Sequence, residues 1–238
     1  MIFIDSDFIE NAASYDEWIN CMERAFLENP ASDYIMPLRT HINFSENTLL
    51  LMPCIKKDYF ATKIVSLFPG NSKIGKKPLS GLVVLNDGST GEPVAVIDAS
   101  KLTAMRTAAV GSVAVRHLAP GDATTLGIIG LGTQGIHQAL FACSQRKFSK
   151  IYILDLYPGL YPGFIEKINS IYPGIEIIIA SSSSHLCKES EVIITATNST
   201  TPVLPAESEL LINRTIIGVG SYKPDMREFP DILFPLAK

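Results

Sequence analysis

The sequence predicts an α/β fold in which a doubly wound parallel sheet follows an N-terminal α+β domain. In the second half, short apolar runs without polar alternation are separated by helical or loop segments, as in buried parallel strands covered on both faces. In the first half, alternating and β-branched runs stand beside two helical stretches. Between them, "HLAPGDAT" places Pro120 and Gly121 where one helix should stop before a strand begins. Residues 1–118 and 119–238 are therefore expected to form separate domains.

The first helix is expected over "AASYDEWINCMERAFLEN", where Tyr15, Trp18, Ile19, Met22, Ala25 and Phe26 recur at helical spacing. Ser14 with Glu17 three residues on forms a capping box, which should begin it. After Pro30 the chain turns extended, in "TLLLMPCI", "YFATKIVSLF", "LSGLVVLND" and "EPVAVIDAS", and "DGSTG" supplies hairpin chemistry between the last two. A small-residue helix, "SKLTAMRTAAVGSVAV", closes this half. In the second half "TTLGIIG", "KIYILDL", "IEIIIA", "EVIITAT" and "RTIIGVG" are the expected strands, and "SSSSH" is a loop with a helix N-cap.

Composition narrows the partners. Of 238 residues 47% are hydrophobic and 18% charged, against about 25% charged in an average domain, so the chain can bury a substantial core. A net charge of −4 argues against nucleic acid or an anionic membrane surface, which need concentrated Lys and Arg. Cys21, Cys54, Cys143 and Cys187 stand singly, without metal-ligand spacing, and read as reduced, mostly buried thiols. "MIFIDSDFIE" lacks a basic leader region, and no apolar run approaches the ~20 residues of a membrane helix. A soluble cytoplasmic protein is expected.

"LGIIGLGTQGIHQAL" sets Gly130, Gly132 and Gly135 in a GxGxxG between an expected strand and helix. The first glycine permits the tight turn, the second lets backbone approach a pyrophosphate, and the third lets helix and strand pack closely. Asp155 ends the next strand about 20 residues on, where a ribose-binding carboxylate belongs. This is a Rossmann-type dinucleotide fingerprint. An ionised Asp155 accepts from a ribose 2′-hydroxyl and repels a 2′-phosphate, which favours NAD(H) over NADP(H).

Three cations of the first half sit in locally uncharged settings: Arg39 in "MPLRTHI", Lys63 in "YFATKIVSLF" and Arg106 in the small-residue helix. A guanidinium among small apolar residues needs an anion, because desolvating it unpaired costs several kcal/mol. A bound carboxylate and a protein acid such as Asp87 or Asp98 serve equally well on this evidence. Lys63 either faces solvent or has a pKa lowered far enough for acid–base work.

"RTAAVGS", with "DGSTGEPVAVIDASKLTAM" before it and "GIIGLGTQG" after it, resembles the ornithine cyclodeaminase/mu-crystallin family. "MPLR", "TKIVSLFPGN", "ATNSTTPVL" and "GVGSYKPDMREFP" extend that resemblance over nearly the whole chain. It implies NAD(P)-dependent enzymes acting on small α-amino or α-imino acids, usually as homodimers associating through the substrate domain. It further implies that Arg39, Lys63 and Arg106 hold the substrate carboxylate, with Lys63 also near the reacting carbon and nitrogen. Thr107 and Ser112 would face the cofactor, Thr133 and Gln134 meet the pyrophosphate, Asp155 binds the adenine ribose, and Thr197 and Val219 line the nicotinamide side.

Two departures qualify the resemblance. Ornithine cyclodeaminases carry an acid–base Asp after the fifth strand, and the matching position here is Tyr222, with Asp225 out of register beyond the Pro. A tyrosine with a reference pKa near ~10 is a poor base for ring closure with loss of ammonia. Reduction of a preformed imine needs a carboxylate clamp, a hydride donor and one proton source, for which Lys63 or a water it holds is the candidate. The expected activity is therefore reduction of small α-imino acids of the pyrroline-2-carboxylate or piperideine-2-carboxylate type. Ornithine cyclodeaminase, alanine dehydrogenase-like and non-catalytic mu-crystallin-like functions are the alternatives. Family members also continue for several tens of residues beyond "REFPDILF", so the Rossmann domain is expected to be shortened.

Overall fold

The computed structural model describes residues 1–28 and 34–237. The expected break at Pro30 lies outside them. The chain divides into two compact units, Met1–Arg106 and Thr107–Lys238.

In the first unit, α1 (Ser6–Asn11) and α2 (Tyr15–Leu27) accompany seven strands: β1 (Ile2–Ile4), β2 (Tyr34–Ile35), β3 (Thr40–Phe44), β4 (Asn47–Lys56), β5 (Tyr59–Leu67), β6 (Leu79–Asp87) and β7 (Pro93–Asp98). Among the described residues these form one sheet ordered β1-β7-β6-β5-β4-β2, with β3 also beside β4. The α2 capping box is present: Ser14 accepts from the Glu17 amide, and the Glu17 carboxylate accepts from the Ser14 amide at 2.8 Å. Asp87 organises the β6–β7 turn by accepting from the Ser89 and Thr90 amides at 2.9 and 2.8 Å, and Gly91 takes a φ of +77° there. These are the helix start and the hairpin expected from "SYDE" and "DGSTG". The sequence pattern did not disclose β1, which pairs parallel with β7. Three residues are too few to display a period.

A helix, α3 (Ala99–Leu118), carries the "RTAAVGS" run. The unit division falls inside it rather than after Leu118, and its small residues explain why. A Cβ on Gly111 would lie 2.1 Å from Gln138 Oε1, while Gln138 Nε2 donates to the Thr107 carbonyl at 3.0 Å. From Thr107 onward α3 is thus packed into the second unit.

That unit alternates β8 (Thr125–Ile129), α4 (Thr133–Gln145), β9 (Lys150–Leu154), α5 (Tyr161–Ile171), β10 (Glu176–Ile179), α6 (Ser183–Glu189), β11 (Val192–Thr195), α7 (Ser208–Leu211), β12 (Thr215–Gly218) and α8 (Leu233–Leu236). Its five strands are all parallel, in the order β10-β9-β8-β11-β12. Burial on both faces explains their unbroken apolar character: Ile151, Ile153, Val192, Ile193 and Ile194 are fully buried. The strand order reverses between β8 and β11, the switch point where doubly wound sheets open a crevice. Ser182 caps α6 by accepting from the His185 amide, as the serine run suggested.

The four cysteines are free, but they are less buried than expected: Cys21 is exposed, Cys54 and Cys143 are half-buried and Cys187 is buried. Burial pushes the Cys143 and Cys187 thiols up to about 12, which makes both inert near neutrality. No helix among the described residues is long and apolar enough to cross a membrane, and none of their His, Cys, Asp and Glu side chains group as a metal site.

Candidate functional site

The sequence-derived candidates fall into two groups, one in each unit. Lys63 lies in the middle of β5, opposite Met52 of β4 and Val83 of β6. By the period of two it shares a sheet face with Val65, which is buried, and Lys63 itself is half-buried. Burial lowers the pKa of its ammonium from 10.5, and repulsion from Arg106 and then Arg39 lowers it further. Arg106 is also half-buried, with burial and then Arg39 opposing its charge, yet a guanidinium stays protonated in proteins. The first unit thus brings Arg39, Lys63 and Arg106 close enough to repel one another.

No acid balances them among the described residues. Asp98 accepts from the Ser100 and Lys101 amides at the start of α3, at 2.8 and 2.9 Å, and Asp87 is committed to its turn. Ion pairs at Lys56–Glu28, Lys101–Glu10, Lys150–Glu176 and Arg227–Asp231 involve none of the three. Holding the half-buried Lys63 and Arg106 near each other and near the exposed Arg39 without a described counter-ion is unfavourable, and an anion brought to them relieves the repulsion of all three and the desolvation of Lys63 and Arg106. A carboxylate matches the guanidinium fork in bidentate geometry.

In the second unit the glycine fingerprint surrounds the carboxyl end of β8. Gly130 adopts a φ of +92°, and a Cβ there would lie 2.6 Å from the Ala196 carbonyl beyond β11. Gly135 is tighter still, since its Cβ would fall 1.9 Å from the Gly130 carbonyl oxygen. Gly132, the N-cap of α4, meets nothing within 4 Å of its ideal Cβ position. First and third glycines therefore serve packing, and the second leaves space at a helix N-terminus, where backbone N–H groups attract a pyrophosphate. Thr133 and Gln134 open that helix, and Gln134 Oε1 is buried without a partner among the described residues.

Asp155 directly follows β9. Its carboxylate accepts from the Leu131 amide at 2.7 Å and from the Tyr157 amide at 2.8 Å. Tyr161 braces its backbone, the hydroxyl accepting from the Asp155 amide and donating to its carbonyl, each at 3.0 Å. Both carboxylate oxygens keep lone pairs for a ribose hydroxyl. Thr107 and Ser112 of α3 each bury a hydroxyl without a partner among the described residues. Partnerless polar atoms, an open glycine and a braced carboxylate beside a switch point fit a dinucleotide.

Thr197 follows β11, and Val219 follows β12, where its amide donates to the Thr195 carbonyl at 2.9 Å. The structure adds a residue that sequence reasoning passed over. Glu228, 3% exposed, accepts from the Thr197 amide at 2.7 Å, the Thr197 hydroxyl at 2.8 Å and the Gly220 amide at 2.7 Å. It lies in "MREFP", inside the segment that carries the family resemblance, but nothing local to that segment marks its carboxylate as a partner of Thr197 and Gly220. Tyr222, in contrast, is 57% exposed, with Lys223 Nζ 5.6 Å from its ring centroid.

The model of the ornithine cyclodeaminase/mu-crystallin family matches residues 3–234. A Delta(1)-pyrroline-2-carboxylate reductase of Bacillus cereus is 34% identical over 236 residues, covering 97% of this chain and 71% of the relative's length. The solved structure of the Thermococcus litoralis Delta(1)-pyrroline-2-carboxylate reductase, in complex with NADH and L-proline, is similar with a TM-score of 0.89 at 33% identity, over 98% of this chain and 73% of that one. An archaeal alanine dehydrogenase dimer with bound NAD gives a TM-score of 0.86 at 27% identity, over 96% and 70% of the two chains. The glycine fingerprint, the ordered motifs and these matches lead to one assignment: the chain belongs to the ornithine cyclodeaminase/mu-crystallin family.

Proposed function

We propose that this protein is an NAD(P)H-dependent oxidoreductase that reduces the C=N bond of small cyclic α-imino acids, of the pyrroline-2-carboxylate or piperideine-2-carboxylate type. The observation that carries the reading is the group of Arg39, Lys63 and Arg106, which no acid among the described residues pairs and which calls for a small anionic substrate. Relatives that are pyrroline-2-carboxylate reductases name the class of that anion.

Arg39 and Arg106 take the carboxylate, Arg106 with its fork and Arg39 as the second charge. Lys63 holds a proton at Nζ for the imine nitrogen. Its lowered pKa makes the ammonium a stronger acid than a solvated lysine, which suits it to donate. Gly132, Thr133 and Gln134 hold the pyrophosphate, Asp155 the adenine ribose, and Thr107, Ser112, Thr197 and Val219 the remainder of the dinucleotide. When bound, NADH supplies the hydride that the imine carbon accepts. Asp155 favours NADH over NADPH, because its carboxylate accepts from a 2′-hydroxyl and repels a 2′-phosphate.

In this reading the first unit, Met1–Arg106, serves substrate binding and dimerisation, and the second, Thr107–Lys238, serves the cofactor. Homodimerisation is supported by the dimeric archaeal relative and by large apolar side chains that the first unit leaves exposed, Leu38 at 96% and Phe3 at 67%. The protein acts in the cytoplasm. A lyase reaction is disfavoured by Tyr222, which stands where a cyclodeaminase carries its Asp. The test is stoichiometric: purified protein given pyrroline-2-carboxylate and NADH forms one proline per NADH consumed. Failure to consume either reduced nucleotide with any cyclic imino acid overturns the proposal.

A further inference from the structure

We propose that Glu228 is a positioning residue for the nicotinamide end of the dinucleotide site, acting through Thr197 and Gly220. The inference rests on the dinucleotide reading given above and extends it to a side chain outside the fingerprint. Three features place Glu228 there. It is buried, and its two carboxylate oxygens accept from three donors on two separate loops, Thr197 N and Oγ1 after β11 and Gly220 N after β12. Those loops are also pressed together, since a Cβ on Gly220 would lie 1.8 Å from the Thr197 carbonyl oxygen and 2.8 Å from Glu228 Cδ. Finally, the same Thr197 closes on the fingerprint, its Cγ2 falling 2.9 Å from an ideal Cβ on Gly130.

The segment around Glu228 is itself anchored. The Arg227 amide donates to the Ser199 carbonyl at 2.8 Å, and the Val203 amide donates to the Glu228 carbonyl at 2.9 Å. The Phe229 ring covers Gly218, where a Cβ would approach to 2.5 Å. A carboxylate held this way fixes two loops at the carboxyl ends of adjacent parallel strands, the edge along which doubly wound sheets bind nucleotide. It also commits the Thr197 hydroxyl hydrogen, and that oxygen, which accepts from the Ser199 amide at 3.3 Å, keeps one lone pair for a further donor.

Glu228→Gln keeps the shape and removes one acceptor. Whichever way the amide turns, its NH2 faces either the Thr197 or the Gly220 amide, and one buried donor loses its partner. The experiment compares dissociation constants of NADH and ADP-ribose, which lacks the nicotinamide, by fluorescence or calorimetric titration of the full chain. The expected result is NADH binding weakened about tenfold, the scale of one charge-assisted hydrogen bond, with ADP-ribose binding within about twofold of wild type. Equal loss for both ligands, or loss for neither, overturns the inference. Should Glu228→Gln fail to fold, Thr197→Val decides by the same ratio, a selective loss of NADH supporting the inference and an unchanged ratio overturning it. A wild-type chain that binds neither ligand instead removes the dinucleotide reading, and this inference with it.

Discussion

Arg106 and Lys63 are the two residues whose surroundings are hardest to explain without a ligand. Lys63 is held on the buried face of a central strand, near two guanidinium groups and no described acid. Because its folded pKa lies below the unfolded value, its charge costs stability at low pH. That cost disappears as pH rises through the lowered pKa toward 10.5. Lys63→Met should therefore raise the unfolding temperature of the free protein by a few degrees near neutral pH, and the gain should shrink as pH rises through that interval. Thermal unfolding followed across pH measures it, and a gain independent of pH would rule out the desolvation account. In kinetics the same titration places the alkaline limb of kcat/KM below the ordinary lysine value, and limb and activity should vanish together in Lys63→Met. Arg106→Lys keeps the charge and loses the fork, so KM for the imino acid should rise by about tenfold or more with KM for NADH nearly unchanged. An unchanged imino-acid KM would return Arg106 to a structural role.

Among the elements, the glycine loop separates packing from binding. Gly135→Ala puts a methyl 1.9 Å from a backbone oxygen that cannot swing aside, so it should cost about 1–3 kcal/mol of stability or more and abolish NADH binding. Gly132→Ala meets nothing within 4 Å and should fold normally. Its methyl would occupy space meant for the pyrophosphate, so NADH affinity should still fall by about tenfold. Denaturant melts paired with NADH titrations distinguish the two, and equal stabilities would contradict the geometry. This loop was legible in sequence because its chemistry is local: a strand, three spaced glycines, a helix and one acid. The small-residue helix was legible as packed, and Gly111 against Gln138 shows what it packs on. Glu228 was not legible, because its meaning lies in donors from Thr197 and Gly220 that approach only when two loops meet.

At the scale of the whole molecule, the parallel order β10-β9-β8-β11-β12 follows from five apolar runs whose sequence pattern is unmistakable. The first unit was harder to read. Its four long strands were evident, whereas β1 was too short to show periodicity and its pairing with β7 joins residues far apart in the chain. Arg39, Lys63 and Arg106 could each be singled out from an uncharged setting, but the absence of an acid around them among the described residues is a property of the folded unit. That absence separates a ligand anchor from an ion pair, and with the dinucleotide half it supports reduction of an anionic imine. The most direct test is a spectrophotometric panel of cyclic imino acids and keto acids with NADH and NADPH, with and without ammonia. A reductase of cyclic imines oxidises NADH with pyrroline-2-carboxylate or piperideine-2-carboxylate and needs no ammonia to do so. Oxidation seen with keto acids alone, and solely when ammonia is present, would contradict it.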